Sequence, residues 1–230
     1  MKKQAALLFF ILSIVYCSWA QDYFSIALYK VNVRINKDAT LDIDETIDIH
    51  FTQERHGIVR RIPIRFAVQQ LPSEVDKLLW EMEPGTFLNT TISMVDVSKR
   101  EFLVRTEGDF KVVRIGSANK FVNGDQQYKI HYRVLNAIMF FENHAELCLN
   151  IIGDGWPTTI DKVSYRVELP DSLPGIPDYF VSTGLTGSTT KSTIGMWQGT
   201  NVLYGSTPQK LSAKEGVTVG IKFPKEFLTK

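Results

Sequence analysis

Glu45 is the residue whose placement most invites a chemical role. It stands in a row with Leu41, Ile43, Ile47, Ile49 and Phe51, all at every second residue or a multiple of it. That spacing puts the whole row on one face of an extended strand. An unpaired carboxylate among apolar neighbours is costly, so the row requires a cation. Arg60 and Arg61, in the stretch HGIVRRIP, are the candidates. The expected arrangement is a structural ion pair or an edge position reaching water. A catalytic or ligand-binding carboxylate is the alternative.

Glu142, His144, Glu146 and Cys148 also recur at every second residue and would share one strand face. Residues two apart on a strand are ~7 Å from each other, whereas a compact zinc site draws ligands from several elements. The expectation is therefore no metal and a partly solvated face, with Cys148 a partly covered thiol. His131 and His50 fall on polar strand faces, and His56 begins a loop. No HExxH or Gly-x-Ser-x-Gly pattern occurs. The acidic run Asp42, Asp44, Asp48 lacks the glycine and terminal glutamate of a calcium loop and reads as a solvated strand face. No catalytic residue and no cofactor is expected.

Trp80, Trp156 and Trp197 are either core or stacking surfaces for sugar. Trp156 follows Gly153-Asp154-Gly155 and precedes Pro157, so it is the tryptophan expected to be exposed on a turn. The candidate interaction surface is Trp156, Asp154, His56 and Arg60. It would lie on the loops His56–Arg61, Gly153–Thr159 and Ser182–Thr193.

The elements that must position these residues are strands. Tyr29, Val31, Val33 and Ile35 alternate with Lys30, Asn32 and Arg34. With Leu41–Phe51 they make a hairpin about the turn Asn36–Ala39. Further short alternating runs follow to Phe223, separated by Gly, Asp, Asn and Pro. This pattern predicts an all-β fold, specifically an antiparallel immunoglobulin-like β-sandwich. One segment differs: Ser73 as a cap, then Val75, Leu78, Leu79 and Met82 at helical spacing, predicts a short helix over 73–82.

Lys2 and Lys3, the apolar run Ala5–Val15 and Ser18-Trp19-Ala20 read as a secretory signal peptide over 1–20. Removing it from 230 residues leaves 210, enough for one exported β domain over 21–230, or for two packed sub-lobes. The leader takes Lys2 and Lys3 with it, leaving 24 cations against 25 anions. Near-neutrality gives no electrostatic reason for nucleic acid as a partner. Cys17 leaves too, so Cys148 has no cysteine to bridge with. No second apolar run is long enough to span a membrane.

Four stretches in order carry a family likeness: Leu41–Phe51 running into His56–Pro63, Arg114–Val134, Glu142–Pro170 and Glu215–Pro224. Together they resemble the amino-terminal domain of the domain-of-unknown-function 2207 family of predicted bacterial membrane proteins. The likeness covers nearly all of the mature chain. It implies an exported β domain, usually followed by membrane helices and a further tail, whereas this sequence stops at Lys230. It implies no activity. The family usually has an aromatic pair where Cys148 and Leu149 stand. The expectation is a non-enzymatic, extracytoplasmic module contacting an envelope protein. The alternative is a carbohydrate- or cell-wall-binding module that captures a cell-surface glycan on exposed tryptophans.

Overall fold

The computed structural model describes residues 23–67, 81, 85–185 and 194–229. The leader, the helix read over 73–82 (Glu81 apart) and the loop segment 186–193 lie outside the described residues, as does Trp80. What is described is almost wholly β, as the alternation predicts.

The first strands, β1 (Phe24–Ile35) and β2 (Leu41–Arg55), form the expected hairpin. Its turn is closed by the Asn36 N–H donating to the Thr40 carbonyl and by Asp38, whose carboxylate accepts from the Thr40 N–H and hydroxyl. Next come β3 (Ile58–Pro63), β4 (Arg65–Ala67), β5 (Phe87–Asn89) and β6 (Thr91–Val97). Then follow β7 (Phe102–Glu107), β8 (Phe110–Ile115), β9 (Val122–Leu135) and β10 (Ile138–Phe140). The rest are β11 (Ala145–Ile152), β12 (Val163–Glu168), β13 (Asp178–Gly184), β14 (Ile194–Gln198), β15 (Val202–Ser206) and β16 (Gly216–Phe223).

The largest sheet has seven strands in the order β14, β15, β12, β1, β2, β9, β6. A four-stranded sheet runs β10, β11, β16, β13, a three-stranded one runs β3, β8, β7, and β4 pairs with β5. One cluster of buried apolar side chains draws on the seven-, four- and three-stranded sheets, with Ile43 and Ile130, Leu147 and Val219, and Ile62 and Val113 among its members. The antiparallel expectation needs correcting at one pair: β1 runs parallel to β12, Tyr29 opposite Val163 through Arg34 opposite Glu168. Most of the chain separates these two strands. No hairpin therefore dictates their relative direction.

Alternation holds where one face of a strand meets the core. Leu41, Ile43, Ile47 and Ile49 of β2, Val31 and Val33 of β1, and Ile130, Tyr132 and Val134 of β9 are all buried. It fails at β11. Ala145, Leu147 and Leu149 join the main core, yet Glu146 and Cys148 on the opposite face are buried as well. The expected solvated face and partly covered thiol are thus replaced by burial on both sides of the strand. Cross-strand packing accounts for part of this. Cys148, Gly220 and Phe180 form one row across β11, β16 and β13, and the Phe180 ring lies over Gly220. A Cβ at position 220 would meet Phe180 Cε1 at 2.0 Å. Gly220→Ala is therefore expected to cost about 1–3 kcal/mol, the usual range for overpacking. A urea titration would read this as a lower midpoint, and Phe180→Leu should restore part of the loss. An unchanged midpoint in Gly220→Ala would show that the ring is not held there.

Candidate functional site

Glu45 is 1 % exposed and lies mid-strand, opposite Val31 of β1 and Ile130 of β9. The same register sets Tyr29 opposite Ile47 and Tyr132 opposite Ile43. Both tyrosines therefore stand diagonally across from Glu45, within reach of its carboxylate. Tyr29 Oη donates to Glu45 Oε2 at 2.7 Å, and Tyr132 Oη donates to Oε1 at 2.7 Å. From β3, Arg60 closes the cluster with a two-point contact, Nε to Oε2 at 2.9 Å and Nη2 to Oε1 at 2.8 Å. Its remaining Nη1 donates to the Arg61 carbonyl. Arg60 is itself only 2 % exposed.

Desolvation alone would push the Glu45 carboxyl up. The Arg60 charge and the hydrogen bonds from Arg60, Tyr29 and Tyr132 outweigh it, and the pKa lies below the ordinary carboxylate value. Burial raises both phenols well above theirs, with the Glu45 charge adding to it. All four groups therefore hold fixed protonation states at neutral pH. A carboxylate with four donors and a lowered pKa is a poor base and a poor nucleophile. The space beside it, lined by Val31, Ile43, Arg60 and Tyr132 among others, is a cavity of about 20 Å³, enough for one water molecule and no substrate. What this arrangement does is tie β1, β2 and β9 of the large sheet to β3 of the three-stranded sheet.

Of the two cations that sequence reasoning offered, Arg60 is the partner and Arg61 is not. Arg61 faces the other way, pairing with Glu107 at 3.1 Å and covering the Phe110 ring at 4.6 Å. Strand alternation is the cause, because Arg60 shares a face with Ile58 and Ile62. Tyr29 and Tyr132 were missed as partners. Both lay in inward-facing rows, but only the strand register reveals that they flank Glu45.

The expected interaction surface does not assemble. Trp156 is 3 % exposed, packed edge-on against Tyr29 at 5.7 Å and Phe24 at 6.5 Å. Arg60 is buried in the cluster above. The turn before Trp156 runs past β3: a Cβ on Gly153 would lie 3.5 Å from Arg60 Nη1, and one on the exposed Gly155 would lie 3.8 Å from the Arg61 Cβ. Asp154 stays half-exposed on that turn. His56 is exposed, with its Nδ1 3.2 Å from both the Ser117 and Lys120 carbonyls and its ring 4.2 Å from Phe121. Trp197 is half-buried and packs edge-on against Tyr179 at 5.8 Å.

His144 and Glu146 do meet, Nε2 to Oε1 at 2.7 Å, and the Glu81 N–H donates to the same oxygen at 2.9 Å. Glu142 is exposed and Cys148 lies further along the strand. Among the described residues no three His, Cys, Asp or Glu side chains are placed to hold a metal ion. Among them, too, no helix is long and apolar enough to cross a membrane.

Comparison with known proteins adds a family. The uncharacterized protein YciQ of Escherichia coli strain K12 is 26 % identical over 175 residues, covering 71 % of this chain and 25 % of that protein. The chain thus spans about a quarter of the length of this curated relative. Among solved structures, native leukotriene A4 hydrolase from Saccharomyces cerevisiae superposes with a TM-score of 0.46 and 14 % identity, over 86 % of this chain and 29 % of that one. The M1 zinc metallopeptidase from Deinococcus radiodurans gives 0.38 and 9 % identity, over 87 % and 43 %. Likenesses this weak bear on neither fold nor chemistry. The family model described as the N-terminal domain of a predicted membrane protein, DUF2207, matches residues 25–223. With nearly the whole described chain matched, the protein belongs to the DUF2207 family.

Proposed function

We propose that the chain is an exported, non-enzymatic β-sandwich module that makes protein contacts on the extracytoplasmic side of the bacterial envelope. Export is supported by the cationic, apolar and small-residue pattern of residues 1–20. The family's description as membrane proteins is consistent with a place at the envelope. The buried Glu45 cluster supports a non-enzymatic role, because its charge is spent within the fold.

The observation that carries the reading is on the outer face of the three-stranded sheet. Val59 and Leu103, 51 % and 58 % exposed, stand on either side of Arg114 in one cross-strand row. Among the described residues β7 pairs only with β8, which leaves its other edge open. Exposed apolar side chains around an arginine fit a contact surface better than a solvated one, and an open strand edge accepts a further strand. A glycan reading loses Trp156, its intended anchor, to the core.

The test is a photo-crosslinking residue at Leu103 in cells of the native host, with Asp125 on the polar face as control. Crosslinks to an envelope protein from position 103 alone, abolished by Val59→Glu without a change in melting temperature, are the expected result. The mature chain should also begin near Gln21. Recovery of a cytoplasmic chain with Met1 intact would overturn the export reading, and identical crosslinks from both positions would overturn the contact surface.

A further inference from the structure

The connection from β2 to β3, the turn from β6 to β7 and the loop from β8 to β9 enclose a recess of about 420 Å³. Lys99, Arg100 and Lys120 line it, opposed by the single carboxylate of Glu101, with His56 as a further ring on the wall. In a chain whose formal net charge is only +1, this is a local concentration of positive charge.

Two of these groups are fixed in place. The Arg100 guanidinium donates from Nη2 to Gln126 Oε1 at 3.0 Å and to the Gln127 carbonyl at 3.2 Å, and lies 4.3 Å over the Tyr128 ring. The His56 Nδ1 faces two carbonyl oxygens, an arrangement that assigns the proton to that nitrogen. Gly57 and Gly116 also line it, both with left-handed φ, +127° and +129°, and a Cβ on either would lie 1.9 Å from a carbonyl oxygen, that of Ile115 for Gly57 and that of His56 for Gly116. Only glycine fits at these two positions, where the two backbone segments approach closely. Phe121, next in the chain to Lys120 and 61 % exposed, is not part of that lining, but its ring lies 4.2 Å from that of His56, which is.

We propose that this recess binds a phosphorylated sugar, with the phosphate held by Lys99, Arg100 and Lys120 and the sugar ring lying against Phe121. Three cations against one carboxylate suit a group that carries up to two negative charges better than a single carboxylate does. An exposed aromatic face next to the charges supplies the platform for a ring. The choice of a sugar over a nucleotide rests on the export reading above; the charge argument does not.

The test is amide chemical-shift titration of the purified chain with glucose 6-phosphate, inorganic phosphate, glucose and AMP. Glucose 6-phosphate should shift Gly57, Gly116, Ser117 and Lys120 saturably, inorganic phosphate more weakly, and glucose not at all. Lys99→Ala with Lys120→Ala should weaken glucose 6-phosphate about tenfold, from the loss of two exposed charge contacts. Phe121→Ala should bring glucose 6-phosphate down to the affinity of inorganic phosphate and leave the latter unchanged. All three side chains are exposed, so the melting temperature should hold. Absence of shifts at these amides, or binding that survives the double lysine variant, overturns the site. Tighter binding of AMP overturns the sugar. Cosedimentation with phosphatidylglycerol vesicles, without any response to soluble phosphates, would mark a membrane contact instead and also overturns it. An intact Met1 on the native protein, by contrast, would defeat export while leaving the phosphate contacts standing.

Discussion

Glu45→Ala is expected to destabilise the domain by about 3–5 kcal/mol, the cost of breaking a buried ion pair. The loss is large because the substitution strands its partners. Arg60, 2 % exposed, keeps its charge without a counter-ion, and the buried hydroxyls of Tyr29 and Tyr132 lose their acceptor. Asp44→Ala, one residue away on the opposite face, removes an exposed contact with His131 and should cost under about 1 kcal/mol. Urea unfolding of the two variants side by side makes the comparison. Equal, small losses would mean that the cluster contributes little to the fold.

The same cluster sets a pH dependence whose sign is fixed. The carboxyl of Glu45 has a lower pKa folded than unfolded. Its contribution is complete above the unfolded value of about 4.3 and is lost as pH falls from there through the folded value. The wild-type chain should thus lose stability on acidification through that window. Glu45→Gln should lose less, so the gap between the two narrows as pH drops. A gap that stays constant down to the lowest measurable pH would mean that Glu45 does not titrate with folding.

How far these features were legible depends on whether they are local. The β1–β2 hairpin was legible because one buried face imposes a period of two, and a charge at position 45 of that face announces a partner. The choice between Arg60 and Arg61 was also within reach, since Arg60 shares parity with Ile58 and Ile62. The contributions of Tyr29 and Tyr132 were not, because they depend on which residue of β1 and of β9 lies beside Glu45. β3 and β4 are separated only by Ile64, and β5 and β6 only by Thr90. There the Thr90 N–H donates to the Ile64 carbonyl, a pairing between segments distant in sequence. The parallel partnership of β1 with β12, and the burial of Glu146 and Cys148, are likewise set by what packs alongside, not by the residues' own pattern. The two glycines that line the cationic recess, Gly57 and Gly116, were unremarkable in sequence. Their left-handed φ and mutual approach appear only once β3 and β8 are paired.

Trp156→Ala should be nearly as damaging as loss of Glu45, at about 3–5 kcal/mol for removing a buried large aromatic. Turn context suggested an exposed indole, but the ring is 3 % exposed and closes the end of the core against Phe24 and Tyr29. Its removal leaves a cavity beside a phenol that donates to Glu45, so the damage should reach the ion cluster. Among the described residues the buried indole N–H has no hydrogen-bond partner, so Trp156→Phe breaks no hydrogen bond to any of them and should retain most of the stability. A double-mutant cycle between Trp156→Phe and Tyr29→Phe separates packing from hydrogen bonding. Coupling is expected, since the rings lie 5.7 Å apart. The decisive measurement is the urea midpoint of Trp156→Ala. A midpoint close to wild type, with binding of an envelope partner lost, would place the indole on the surface after all and restore it as a recognition residue.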